Sequence, residues 1–273
     1  MVIDISKCAG CYCCFIACKD EHCGHDFPGY AAPQPMTGQF WMNLVERERG
    51  QYPRVKTAYI AVPCMHCEEA NCIKQARDGA VYRRPDGIVI IDPAKAKGQR
   101  QLVDSCPYRV IYWNEESGLP QKCTFCAHLL DEGWKEPRCA EMCPAGAITF
   151  GDLDDPKSDV AQSAAANRTE ALHLEYGLKE SVIYINLPKK FIAGTVAYED
   201  SDDCAPGVAV TARTAGWEQT VETDGFGDFE FEDLADNQDY TVTLTADGYE
   251  PRQFNVKTLR DMHLGVIALE KSR

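Results

Sequence analysis

Long apolar runs are missing from this 273-residue chain. Those present are short, such as Ile88 to Ile91, far short of the ~20 residues that a membrane-spanning helix needs. No membrane anchor is therefore expected. A surplus of basic charge is missing too. Lys and Arg number 28 against 42 Asp and Glu, a net charge of −14. Without a basic face there is little to neutralise a phosphate backbone, which excludes nucleic acid as a main partner. The hydrolase and zinc-protease signatures, the phosphate loop and the dinucleotide fingerprint are all absent, so no catalytic residue is assigned. Met1 to Cys8 contains Asp4 and no basic stretch. Neither a secretory nor a twin-arginine signal is read there, and the expected compartment is the cytoplasm, with export on a signal-bearing partner left open. With 45% hydrophobic residues the chain can bury ordinary cores.

What the sequence has in excess is cysteine. There are 15, and only Cys204 lies beyond residue 143. Without a secretory signal, a disulfide framework is the weaker reading and metal binding the stronger. Cys8, Cys11, Cys14 and Cys18 read C-x2-C-x2-C-x3-C. This is the bacterial ferredoxin run, in which three cysteines hold one 4Fe–4S cubane and the fourth reaches a second. Cys123, Cys126, Cys139 and Cys143 repeat the run with a long insertion and a following Pro144. Cys64, Cys67 and Cys72 form a third run, and Cys106 stands before Pro107 and Tyr108.

Comparing the chain with itself locates what has been lost. Gly146, Ala147 and Ile148 follow Cys143 as Gly79, Ala80 and Val81 follow Ala76. Asp4 and Lys7 precede Cys8 as Asp92 and Lys95 precede Ala96, and the same steps from Ala96 reach Gln99, Leu102 and Cys106. Four runs thus offer sixteen positions, of which Ala76, Ala96, Gln99 and Leu102 are vacant. If paired runs swap their fourth cysteine, these vacancies remove one whole cluster and leave three complete. The expected sets are Cys8, Cys11 and Cys14 with Cys143; Cys123, Cys126 and Cys139 with Cys18; and Cys64, Cys67 and Cys72 with Cys106. Cys13, beside Cys14, is out of step with the regular spacing, and Cys23 and Cys204 are read as ordinary thiols. Zinc is the competing reading, because C-x2-C knuckles also bind it. For His66 and His128 a hydrogen-bonded or solvated role is expected rather than ligation. With no flavin or nicotinamide site, the clusters must trade electrons with another protein.

The expected fold class is α+β, a double ferredoxin-like cluster region followed by an all-β antiparallel sandwich or barrel. Residues 1–150 are read as the cluster region, 151–190 as a connecting segment packed on it, and 191–273 as a cluster-free β domain. The last carries 6 basic and 17 acidic residues. Seven strand-like stretches are predicted there: Ile192 to Tyr198, Val208 to Arg213, Gln219 to Thr223, Asp228 to Phe231, Tyr240 to Ala246, Gln253 to Val256 and Leu264 to Leu269. A hairpin around Pro85-Asp86-Gly87, a short helix over 125–133 and an amphipathic helix from Ser163 to Tyr176 are also expected.

The four-run plan over residues 1–150 resembles the iron–sulfur subunits of molybdopterin oxidoreductases of the dimethyl-sulfoxide reductase type. Pro63-Cys64-Met65-His66-Cys67-Glu68, Asp86-Gly87-Ile88-Val89-Ile90-Ile91-Asp92-Pro93 and Tyr112-Trp113-Asn114-Glu115-Glu116 resemble a three-cluster branch of that family, the small subunits of the pyrogallol hydroxytransferase type. Thr223-Asp224-Gly225-Phe226-Gly227 and Asp247-Gly248-Tyr249 resemble prealbumin-like carboxypeptidase-regulatory domains. The resemblance implies a large catalytic partner holding molybdenum on two pterin guanine dinucleotides, with polyphenol chemistry performed there. It also implies that the lost cluster is the one facing a membrane quinone subunit, which leaves a soluble two-chain enzyme with an external electron donor as an option. An electron-donating subunit of an anaerobic catechol dehydroxylase or other molybdenum reductase, a free-standing polyferredoxin and a zinc-stabilised interaction protein are the alternatives.

Overall fold

Closely spaced cysteines leave little chain for regular structure, and the elements around them are short. The computed structural model describes residues 1–272. It divides into two units, Met1–Glu46 with Tyr59–Leu187, and Arg47–Ala58 with Pro188 onward. The boundary differs from the expected one at residues 47–58. These form the tip of a hairpin whose strands run Met42–Gln51 and Arg54–Pro63. The stem belongs to the first unit and the tip to the second. The physical reason is charge. Within the second unit Arg54 donates to Glu230 at 2.9 Å, Lys56 pairs with Glu230 and Glu232, and Arg49 lies 3.5 Å from Asp261.

In the first unit, Val2–Asp4, ahead of the first cysteine run, pairs antiparallel with Ile148–Thr149, which follows the fourth. Val81–Arg83, after the second run, pairs antiparallel with Val89–Ile91, ahead of the third, with Val81 opposite Ile91. Strand pairing thus couples the first run to the fourth and the second to the third. Ile183–Ile185 adds to Val2–Asp4 in parallel, and Thr169–Glu170 extends the sheet. The Pro85-Asp86-Gly87 turn closes as expected. Gly87 N–H donates to the Arg84 carbonyl at 3.0 Å and the Asp86 carboxylate accepts from Ile88 N–H. The short helix is Ala127–Asp131.

The helix expected from Ser163 to Tyr176 is instead Asp159–Ala166. Ser158 caps it by accepting from Ala161 N–H at 3.1 Å, an N-cap signal that fixes the start. The chain turns extended at Asn167, and Leu174–Tyr176 is a single 3-10 turn.

The four positions expected to lack a ligand take part in the packing. Ala96 and Leu102 are fully buried among Ala80, Val81, Val89, Ile91 and Ile111, and Ala76 packs against the same cluster. Gln99 bridges backbone groups, accepting from Arg77 N–H at 2.9 Å and donating to the Arg77 and Lys95 carbonyls. Leu102→Ala should therefore destabilise this unit by about 2–5 kcal/mol, the range for a large-to-small core change. The check is a fall in the denaturant midpoint with iron content unchanged.

The second unit contains seven strands in two sheets. Lys190–Tyr198 lies between Asp228–Leu234 and Met262–Leu269, and the other sheet runs Trp217–Glu222, Ala209–Thr214, Asp239–Thr245, Arg252–Lys257. Alternate residues such as Val210 and Ala212, or Tyr240, Val242 and Leu244, face one core with Ile192, Phe231 and Leu269. This is the period-2 burial of a sandwich. One pair is parallel, Lys190–Tyr198 with Met262–Leu269. The intervening strands supply the long crossover that parallel pairing requires. Gly227 makes its turn possible, with φ +79 and a hypothetical Cβ 2.2 Å from the Val196 carbonyl oxygen. Gly227→Ala should cost more than the ~1–2 kcal/mol of left-handed strain alone, seen as a lower melting midpoint for this unit. Among the described residues no helix is long and apolar enough to cross a membrane.

Candidate metal centre

No disulfide joins any of the fifteen cysteines among the described residues. The loops that carry them share a backbone device. The residue before the second cysteine of each C-x2-C step is left-handed in three runs: Gly10 (φ +68), His66 (φ +45) and Phe125 (φ +52). At Gly10 a Cβ would also meet the Tyr59 ring at 2.6 Å, so glycine is required there. A non-glycine residue held left-handed costs of order 1–3 kcal/mol and persists only where its surroundings over-determine it. His66 and Phe125 stack on each other at 3.7 Å, which supplies that constraint. The helix Cys13–His22 then places Cys14, Cys18 and His22 one turn apart on its buried face.

Two of the three expected sets of cysteines come together around cavities. Cys8, Cys11, Cys14 and Cys143 line one cavity with Ile3, Leu44 and Ile148 among its walls. Cys13 is not on that cavity. Cys64, Cys67, Cys72 and Cys106 line a second with His66, Val89, Tyr108 and Lys122. The remaining expected set, Cys18, Cys123, Cys126 and Cys139, is buried throughout; burial first, and then the neighbouring charges of Cys123, Cys126 and Cys18, raise the Cys139 thiol. The two cavity sets reach the surface, with Cys11 exposed and Cys8, Cys67, Cys72, Cys106 and Cys143 half-buried. Cys23 sits 3.8 Å from the Met36 sulfur, away from all three, and Cys204 is exposed.

These thiols do not ionise readily by themselves. Burial, reinforced by neighbouring thiolates, pushes Cys14, Cys67 and Cys126 up to about 12. Burial pushes Cys72 and Cys123 up to about 11. Cys18 and Cys139, the most enclosed, rise well above the usual thiol range for the same reason. A bound cationic group would favour the thiolate form of such buried cysteines. Among the described residues no three Cys, His, Asp or Glu side chains converge as a single ion needs. The apolar walls and all-sulfur donor sets fit iron–sulfur clusters.

Both singled-out histidines are hydrogen-bonded. His66 is fully buried and its Nδ1 accepts from Val89 N–H at 3.0 Å. His128 Nε2 lies 2.9 Å from Glu21, and its ring stacks on Phe27. Sequence reasoning passed over two further groups. His22 places Nε2 3.6 Å from the Cys126 sulfur, and burial lowers its pKa to about 3. Lys122, adjacent to Cys123, is almost wholly buried. Its position inside a cysteine run was the available signal.

Residues 55–153 match the family model described as a 4Fe-4S dicluster domain, and residues 192–263 the carboxypeptidase regulatory-like domain. The chain is 44% identical over 98% of its length, and 98% of the relative's, to the pyrogallol hydroxytransferase small subunit of Pelobacter acidigallici. It is 36% identical to the putative iron–sulfur subunit of dimethyl sulfoxide reductase from Halobacterium salinarum, covering 68% of this chain and 78% of that one. It is 29% identical to the arsenate respiratory reductase iron–sulfur subunit of a Shewanella species, covering 68% and 94%. With its cysteine runs, its cluster-binding domain and these relatives together, the chain belongs to the family of iron–sulfur subunits of dimethyl-sulfoxide-reductase-type molybdopterin oxidoreductases.

Proposed function

We propose that this chain is the electron-transfer subunit of a molybdenum enzyme of the pyrogallol hydroxytransferase type. It would hold three 4Fe–4S clusters beside a large partner that carries the molybdenum pterin cofactor and acts on a polyphenol. The observation that carries the reading is that two sets of four cysteines, each drawn from two different runs, line separate cavities, as expected if paired ferredoxin runs exchange their fourth cysteine; Cys18, Cys123, Cys126 and Cys139 are assigned to a third set from their spacing and shared burial. Likeness over nearly the whole chain to a pyrogallol hydroxytransferase small subunit supports the enzyme type.

Bound clusters supply one-electron transfer. The residues of the chain do the rest. Cys8, Cys11, Cys14 and Cys143 form one outer set, and Cys64, Cys67, Cys72 and Cys106 the other. Cys18, Cys123, Cys126 and Cys139 form the third, buried set. Ile3, Leu44, Ala61, Met65 and Ile111 wall off water. The filled pocket around Leu102 ends the row at the Cys106 side, consistent with a subunit that has no fourth centre to feed.

The test is elemental analysis of the protein purified anaerobically with its native partner. About twelve iron per chain, four per cubane, with near-stoichiometric molybdenum, supports the reading. Iron at that level with no molybdenum in an intact native complex favours a free carrier. Zinc in place of iron removes the electron-transfer reading.

A further inference from the structure

Buried polar groups that the function above does not use are informative when they lack partners. Lys122 is 2% exposed. Its Nζ donates to the carbonyls of Val89 and Cys123, and both acceptors are neutral. Among the described residues no carboxylate pairs with it. An ammonium has three protons, so one is left over. A buried charge without a counter-charge is costly and is retained only when something of opposite sign is present. The side chain lines the cavity of Cys64, Cys67, Cys72 and Cys106.

His66 lines the same cavity and has the same kind of deficit. Its Nδ1 accepts from Val89 N–H, so the hydrogen of the neutral ring is on Nε2. That atom is buried with no partner. One residue's backbone thus holds both groups, Val89 N–H on His66 and Val89 C=O on Lys122. Two under-used donors, one of them cationic, meet at one four-thiol cavity.

We propose that Lys122 is the counter-charge that sets the reduction potential of the centre held by Cys64, Cys67, Cys72 and Cys106, with His66 as a hydrogen-bond donor to that same centre. The inference rests on the iron–sulfur reading given above. Reduction adds one electron and one unit of negative charge there, with no bond made or broken. A fixed cation favours the more negative state, and the low dielectric magnifies the effect. Because this set is the outer one at the filled pocket, an electron reaching it has no further centre to move to. Lys122 therefore makes the end of the row a holding site for an electron.

Redox titration of the native complex, followed by electron paramagnetic resonance, tests this. Lys122→Met should lower the midpoint of the signal that Cys106→Ser perturbs. The midpoint assigned to the Cys8, Cys11, Cys14 and Cys143 centre should stay in place. Lys122→Arg, which restores the charge, should recover most of the shift. An unmoved midpoint, or an equal shift of every centre, overturns the proposal. If Lys122→Met fails to hold its iron, Lys122→Gln gives the reading, because it removes the charge and keeps a donor. Iron loss in both variants makes Lys122 a packing residue and overturns the proposal equally. Failure of the underlying reading is distinct: the unaltered protein would then hold no reducible iron.

Discussion

Stripping the iron anaerobically from the native protein should unfold the first unit and leave the second folded. The first unit has apolar residues such as Trp41, Met42, Ile60 and Tyr184 in its main core, but cysteines are set among them. Cys14, Cys18, Cys64, Cys123 and Cys139 are part of its main buried cluster, so the core is built around the metal sites. Apart from Cys13–His22 and Asp159–Ala166, its α-helices are four or five residues long, too short to persist without tertiary support. Its left-handed loop residues relax once nothing fixes them. In such proteins the free energy of metal binding is folding free energy. The second unit has a separate core of Ile192, Val210, Phe231, Val242 and Leu244 with no buried cysteine. Hydrogen exchange read by mass spectrometry distinguishes the two. Amides across 64–72 and 123–143 should exchange at once after chelation, while those of 209–214 and 239–245 stay protected. Equal protection in both units would show that the iron is not what stabilises the first.

Replacing Cys67 with serine has the next largest effect. Iron should fall from about twelve to about eight per chain, the loss of one cubane. No spare thiol is in place to rescue the site, because Cys13, Cys23 and Cys204 are not on its cavity, and the vacated positions near it hold Ala76 and Leu102. A serine oxygen is a harder donor than thiolate and a poorer match for iron–sulfur chemistry. The measurement is iron by mass together with the integrated signal of the reduced protein. If both match the unaltered protein, Cys67 is not a cluster residue.

Ligand spacing is a local property, so a cysteine plan can be proposed from sequence. Two-residue steps dictate a tight loop whatever the rest of the chain does, and matching run against run picks out Ala76, Ala96, Gln99 and Leu102 as the expected vacancies. The seven strands of the second unit were legible for a similar reason. Tyr240, Val242 and Leu244 alternate in sequence and are buried together in the fold. Three features were not legible. The helix over Asp159–Ala166 was misplaced because Ser158, its cap, stands in a polar stretch that reads as loop. Lys122 looks like any surface lysine until the fold encloses it. Assignment of residues 47–58 to the second unit depends on ion pairs with Glu230, Glu232 and Asp261, partners about 175 to 210 residues away in sequence. No short window of sequence contains them.

The split hairpin decides how this chain can be taken apart. The polypeptide passes from one unit to the other at 46/47, 58/59 and 187/188, so one cut near residue 187 does not release the C-terminal portion as an autonomous cassette. Deleting it strands Arg49, Arg54 and Lys56 without their acidic partners, and grafting it elsewhere leaves Glu230 and Asp261 equally bereft. A graft of that portion would have to carry the tip of the Met42–Pro63 hairpin with it to keep these ion pairs.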